Sequence, residues 1–292
     1  MTKDSFQSSK ARLGFTLAFP ASLVVLIIIL TPLLLMFSYS FRPYDAVTLI
    51  KEGFTLENYT YFFNDAYYRK VFLTTVSVAA VCTGLALILG FPVAYFLAKT
   101  QSKHKSLLII LLVFPLMVGN VVRAAGWMIV LGNAGFVNAT LAWLGLIGEP
   151  LKLLYTPLAV IIGTTAVVLP YMILTLQSVL EGIDFSVQEA AQNLGANALT
   201  TFWRILMPIA APGIAAGTML VFILCMNAYA TPVLLGGSGI TMMAPTLYGQ
   251  IAKASNWPFG SAMALILVVA TLGMALSANW LIHRRYVKTM AS

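Results

Sequence analysis

The 292-residue chain is 60% hydrophobic and only 9% charged, with a mean hydropathy of +0.91, against about 25% charged residues in soluble domains. This composition excludes a soluble globular domain and defines an integral membrane protein. Its apolar runs are continuous rather than alternating, which excludes an outer-membrane barrel, and its net charge of +8 sits beside those runs as orienting charge rather than as a nucleic-acid surface.

Residues 1–14 (MTKDSFQSSKARLG) precede an apolar run too long for a signal-peptide core and without a small-residue cleavage site, so the first helix is expected to be retained. Six spans are expected, 15–41, 71–98, 107–131, 157–180, 208–232 and 259–283, each about 24 to 28 residues and able to cross a core of roughly 30 Å with tilt. An even number puts both termini on one side. Lys3, Lys10 and Arg12 precede the first span, Lys99, Lys103 and Lys105 lie in the turn KTQSKHKS, and Arg284, Arg285 and Lys288 follow the last. Basic residues concentrate in cytoplasmic loops, so these clusters and both termini are expected to be cytoplasmic. The loop at 42–70 carries four basic and four acidic residues and fits the outer side. The expected fold is all-α and polytopic, with a tail 1–14, a membrane domain 15–283 and a tail 284–292.

Pro20, Pro32, Pro92, Pro115, Pro170 and Pro212 fall inside these spans. Each removes a backbone hydrogen bond and bends its helix, which suits a translocation route but also occurs in ordinary membrane helices. Cys82 and Cys225 are read as packing residues, and no cysteine or histidine spacing suggests a metal. His104 and His283 stand at cytoplasmic ends as solvated anchors.

Between the fourth and fifth spans lies EAAQNLGANALTTFWRILMP, residues 189–208. Glu181, Asp184 and Glu189 outnumber Arg204 there, against the basic bias of cytoplasmic loops. Ser186 and Glu189 have the spacing of a capping box, so a short helix is expected to start at Ser186 and close at Gly195 in a left-handed conformation. Asn197 then caps a second helix that ends at Pro208. Val187, Ala190, Ala191 and Leu194 share one face of the first helix, and the alanines leave it flat enough to lie in a groove. The alternative is a connector whose glutamate only caps its own helix.

The order Glu189-Ala190-Ala191, three residues, Gly195, nine residues, Ile205, two residues, Pro208 resembles the EAA loop of binding-protein-dependent ABC importer permeases. Met207 stands where that family usually has leucine, a swap that keeps volume. The resemblance extends to VVRAAGWMIVLGNAGFVN (121–138), NAYATPVLLGG (227–237) and NWPFGSAMA (256–264), which are similar to the subgroup importing spermidine, putrescine and related solutes. It implies a type I ABC importer permease fold in the bacterial inner membrane. It further implies that 181–207 is a cytoplasmic coupling loop, in which Glu189, Ala190, Ala191, Leu194, Gly195 and Pro208 meet a cytoplasmic ABC ATPase dimer. A second permease subunit, a periplasmic binding protein and a small-molecule substrate complete the implied partners.

The chain contains no GxxxxGK[ST] phosphate loop, and Gly236-Gly237-Ser238-Gly239 lacks its lysine. The chain is therefore expected to be no enzyme and to bind no cofactor, with ATP and Mg used by the partner. Along the route, Arg123 lies sixteen residues into the third expected span, roughly 24 Å from its cytoplasmic end. A guanidinium there costs about 2.5 kcal/mol or more unless it snorkels or faces a cavity. An arginine in the route would repel a polyamine and favour cargo with an anionic or zwitterionic group. Asn227, Tyr229 and Thr231, with Met226, end the fifth span, which lines the route in the resembled family; Asn120, Trp127 and Tyr171 are further candidates. Interhelical hydrogen bonding or interface anchoring would also explain each of them. A stand-alone secondary transporter or channel is the competing class, but it needs intramembrane carboxylates, and every Asp and Glu lies outside the expected spans.

Overall fold

The computed structural model describes residues 3–290. Met1, Thr2, Ala291 and Ser292 lie outside the described residues, as do the side chains of Lys3, Lys10, Arg12, His283, Arg284, Arg285 and Lys288 that orient the chain in the sequence reading. Every regular element among the described residues is helical. Six segments are long and apolar enough to cross a membrane: Ser22–Ser40, Ala66–Lys99, Asn120–Trp143, Pro157–Leu180, Ala198–Met226 and Trp257–Ala278. None of the nine acidic residues falls within them.

The chain divides into two compact units, residues 1–63 with 249–265 and residues 64–248 with 266–292. In the first, helix α1 (Lys3–Ser40) begins twelve residues before the expected span at residue 15 and runs on through Pro20 and Pro32. Its side chains from Leu23 to Leu35 are exposed, uncovered by this chain, as lipid-facing residues are. Helix α2 (Glu57–Asn64) supplies the buried Asn58, whose amide donates to the Ser40 and Arg42 carbonyls at 2.9 and 3.0 Å and so caps α1. A wide π-turn at Gly249–Lys253 lays Ile251 against Gly260, where an added Cβ would come within 2.4 Å. Asn256 then caps the start of α12 (Trp257–Met290) through the Phe259 amide.

The second unit is built on three mutually packed helices, α3 (Ala66–Lys99), α7 (Pro157–Leu180) and α10 (Met207–Met226). Hydrocarbon gives no hydrophobic drive to helix association, so close backbone approach through small residues has to supply it. Gly213 and Gly217 of α10 form such a seam: a Cβ at Gly213 would lie 2.7 Å from Val179, and one at Gly217 would lie 3.0 Å from the Met172 sulfur. The Thr75 hydroxyl of α3 accepts the Met243 amide at 2.8 Å, fixing the start of α11 (Met243–Tyr248) in the same core. Cys82 and Cys225 are both buried here as packing thiols.

Two expected spans are corrected. The third, 107–131, is broken into α4 (Lys105–Met117) and α5 (Asn120–Leu131), and the crossing segment continues from α5 through α6 (Phe136–Trp143). Pro115 in the last turn of α4, followed by extended Val118 and Gly119, ends the ladder that hydropathy alone cannot resolve. The fifth begins earlier and stops sooner than 208–232. Short α9 (Ala198–Thr201) does not end at Pro208 but runs through a π-turn, Phe202–Leu206, into α10 as one rod. The Met207 amide bonds the Phe202 carbonyl five residues back, so the wide turn absorbs the donor that Pro208 lacks.

Candidate functional site

The segment between α7 and α10 is anchored at its first residue. Glu181 caps α7 and accepts from the Gln177 amide at 3.0 Å and from Lys105 at 2.8 Å. These two partners, Gln177 first, hold its carboxyl below the usual carboxylate range. Three residues on, the Asp184 carboxylate accepts the Ser186 amide at 2.9 Å, and that bond holds its pKa low as well.

Helix α8 (Ser186–Asn193) starts there, but the expected capping box does not form. Ser186 is the first helical residue and the cap position falls on Phe185 without a side-chain bond, so Asp184, two residues earlier, supplies the acceptor. The other end follows the sequence reading. Gly195 sits at φ +88°, its amide bonds the Gln192 carbonyl and the Ala196 amide bonds the Ala191 carbonyl, the paired bonds of a Schellman closure. Asn197 then accepts the Thr200 amide at 2.7 Å and caps α9.

The surface of α8 divides cleanly. Val187, Glu189, Ala190 and Gln192 are exposed, Leu194 just beyond the helix is 89% exposed, and Ala191 is half-buried. An apolar leucine left this open has no partner among the described residues. Gln188 is the buried residue of the helix, and the Tyr95 hydroxyl of α3 donates to its Oε1 at 3.0 Å. The Tyr95 ring meets Phe185 edge-on at 5.8 Å, Lys99 lies over the Phe185 ring, and Phe91 meets Phe202 edge-on at 5.5 Å. Sequence reasoning missed Gln188 and this aromatic seat on α3. Pro208 is half-buried at the root of α10.

The candidate route residues fall into two groups. Arg123 lies in the first turn of α5, half-buried, with its guanidinium donating to the Asn120 side chain and to the Val167 carbonyl at 3.5 Å. Val167 lies three residues before Pro170, whose missing N–H leaves the adjacent Ala166 carbonyl, four residues back, without its helical donor. Arg123 thereby links α5 to α7 three residues before Pro170. Tyr171 and Trp127, on the same two helices, are half-buried. The second group sits where α10 stops. Asn227 is exposed and donates to the Ile223 carbonyl, Tyr229 meets Tyr248 edge-on at 5.2 Å, and Met226 and Thr231 are buried in this chain. The chain is out of helix at residues 227–229 before the π-turn Pro232–Gly236, against which α5 packs. A groove of about 1000 Å³ beside the first half of α3, lined by Tyr67, Lys70, Thr74, Ser77, Ile161 and Thr241, contains none of these candidates.

Six helices long and apolar enough to cross a membrane, several with an internal proline, an exposed capped helix between the fourth and fifth and no carboxylate in any of them define the class of a polytopic membrane protein. Residues 86–285 match the family model described as "Binding-protein-dependent transport system inner membrane component", and the chain belongs to that family, as a permease subunit of an ABC importer in the inner membrane. It is 36% identical over 256 residues to the spermidine/putrescine transport system permease protein PotB of Escherichia coli K12, covering 88% of this chain and 92% of the relative. It is 31% identical to the inner membrane ABC transporter permease protein YdcU of the same organism, over 78% and 77% of the two chains. Its fold matches a chain of a bacterial alginate ABC transporter, crystallised with an alginate pentasaccharide-bound periplasmic protein, with a TM-score of 0.74, 18% identity and coverage of 95% and 96%.

Proposed function

We propose that this permease imports a polyamine or a related small amino or zwitterionic compound, and that a separate ATPase drives it by gripping α8. Both termini and residues 181–207 are cytoplasmic in this reading. A periplasmic binding protein delivers the solute on the opposite face, and a second permease subunit, a relative or another copy, completes the route. No cofactor belongs to this chain; ATP and Mg are used by the ATPase.

The observation that carries the proposal is the division of α8. One side is seated on α3 through Gln188, while Val187, Glu189, Ala190 and Leu194 remain uncovered. A helix closed at both ends and presented this way serves as a handle. ATP-driven closure of the ATPase dimer would pull α8, rock α7 and α10 with it and open the route outward; hydrolysis would reset it. Identity to the polyamine permease over most of both chains supports the cargo class. Arg123 is directed to two neutral acceptors, the Asn120 side chain and the Val167 carbonyl, and keeps its positive charge.

The test is uptake of radiolabelled spermidine and putrescine into proteoliposomes holding the complete complex, with ATP hydrolysis read in parallel. Glu189→Lys is expected to abolish uptake and to disconnect hydrolysis from the binding protein while the permease stays in the membrane. Normal transport by Glu189→Lys would remove the role given to α8, and uptake by the permease without any ATPase would favour a secondary transporter.

A further inference from the structure

The handle is covalently joined only to α7 and α10, yet the core contains α3 as well, and a pull on a short connector can be lost in the connector unless something stiff lies beside it. Tyr95 occupies that place. It lies within the last turns of α3 and reaches Gln188, ninety-three residues away, with a 3.0 Å hydrogen bond from its hydroxyl to Oε1. Gln188 is 8% exposed, so releasing that bond leaves a polar atom buried without its donor. The edge-on contact of Tyr95 with Phe185, the Lys99 ammonium over Phe185 and the Phe91–Phe202 contact hold the same end of α3 against both sides of α8.

We propose that Tyr95 is a positioning residue for energy coupling: through Gln188 it makes α3 a third recipient of the force applied at α8, so that α3, α7 and α10 turn as one body. This rests on the reading of α8 as the ATPase's handle. The hydroxyl touches neither solute nor nucleotide, and its function is to keep the helix from swivelling on its two connectors. Directional hydrogen bonding matters here beyond packing, because an apolar pair of the same size would fill the space while allowing α8 to slide.

The experiment is a double-mutant cycle on the reconstituted complex, reading ATP hydrolysed per solute imported and the amount of ATPase that co-purifies. Tyr95→Phe and Gln188→Met are each expected to raise the ATP used per solute roughly fivefold with the ATPase still bound, and the double variant to be no worse than either alone. A Tyr95→Phe complex with wild-type ATP economy overturns the proposal, as does one that no longer holds its ATPase, or a double variant in which the two effects multiply. Glu189→Lys is measured alongside. Normal import by Glu189→Lys fails the reading of α8 itself, whereas abolished import with an unchanged Tyr95→Phe fails only the strut.

Discussion

Lys105 Nζ lies 2.8 Å from Glu181 Oε1 and ties the first residue of α4 to the residue that closes α7. The two side chains are 28% and 40% exposed, so water screens the pair, and such pairs contribute about 0.2–1 kcal/mol, here at the lower end. Glu181 has its carboxyl lowered first by the Gln177 amide and then by Lys105. A carboxylate depressed in the folded state stabilises it above the ordinary carboxylate pKa and loses that contribution as pH falls through the lowered value. Thermal unfolding of wild type and Glu181→Gln in detergent should therefore differ by a small, constant amount at neutral pH and converge in acid, below pH ~4. A gap that first opened on raising pH through neutrality would contradict this assignment.

Gly195 is left-handed at φ +88°, and nothing lies within 4 Å of an added Cβ. Substitution there meets backbone strain alone, about 1–2 kcal/mol for an ordinary residue and less for asparagine. The expected order of retained transport is Gly195→Asn above Gly195→Ala above Gly195→Val, since a β-branched residue tolerates that region least. Equal activity of all three variants would mean that the turn closing α8 need not keep its shape.

Leu194 separates a structural role from a functional one. Because it is 89% exposed, Leu194→Ser should change the stability of the isolated permease by no more than about 0.5 kcal/mol. In the complex it should lose apolar contact with the ATPase and reduce co-purification and uptake together. If unfolding of the isolated chain shifted as strongly as uptake fell, the side chain would be packing within the permease instead.

The sequence made the turn chemistry of this region visible and left its tertiary seat hidden. Gly195 and Asn197 act through bonds to neighbours within five residues, so composition and spacing suffice to place them. Asp184 takes over the capping expected of Ser186 because an aspartate two residues before the helix offers a fixed acceptor. Gln188 reads as a solvated residue in a polar helix, and its burial and its bond to Tyr95 across ninety-three residues come from tertiary packing. The break between α4 and α5 was obscured for a different reason. Hydropathy stays high from residue 107 to 131, whereas the interruption depends on Pro115 and the extended residues after it. The Arg123 contact with the Val167 carbonyl likewise depends on how α5 packs against α7, which spacing along the chain does not show.

The seam between α7 and α10 yields a prediction about the bundle itself. A Cβ on Gly213 would lie 2.7 Å from Val179 Cβ, 2.8 Å from its Cγ1 and 2.9 Å from its Cγ2, all closer than real carbon contacts. Valine has a stiff χ1 on a helix and cannot swing aside, so the two backbones must separate. Gly213→Ala should therefore destabilise the solubilised permease by about 1–3 kcal/mol, seen as a lower unfolding temperature and a smaller folded yield. Val179→Ala in the same chain removes two of the three clashing atoms and should recover part of the loss, since the Cβ at 2.7 Å remains. If Gly213→Ala were as stable as wild type, or if Val179→Ala gave no recovery, close approach at this glycine would not be what joins the two helices.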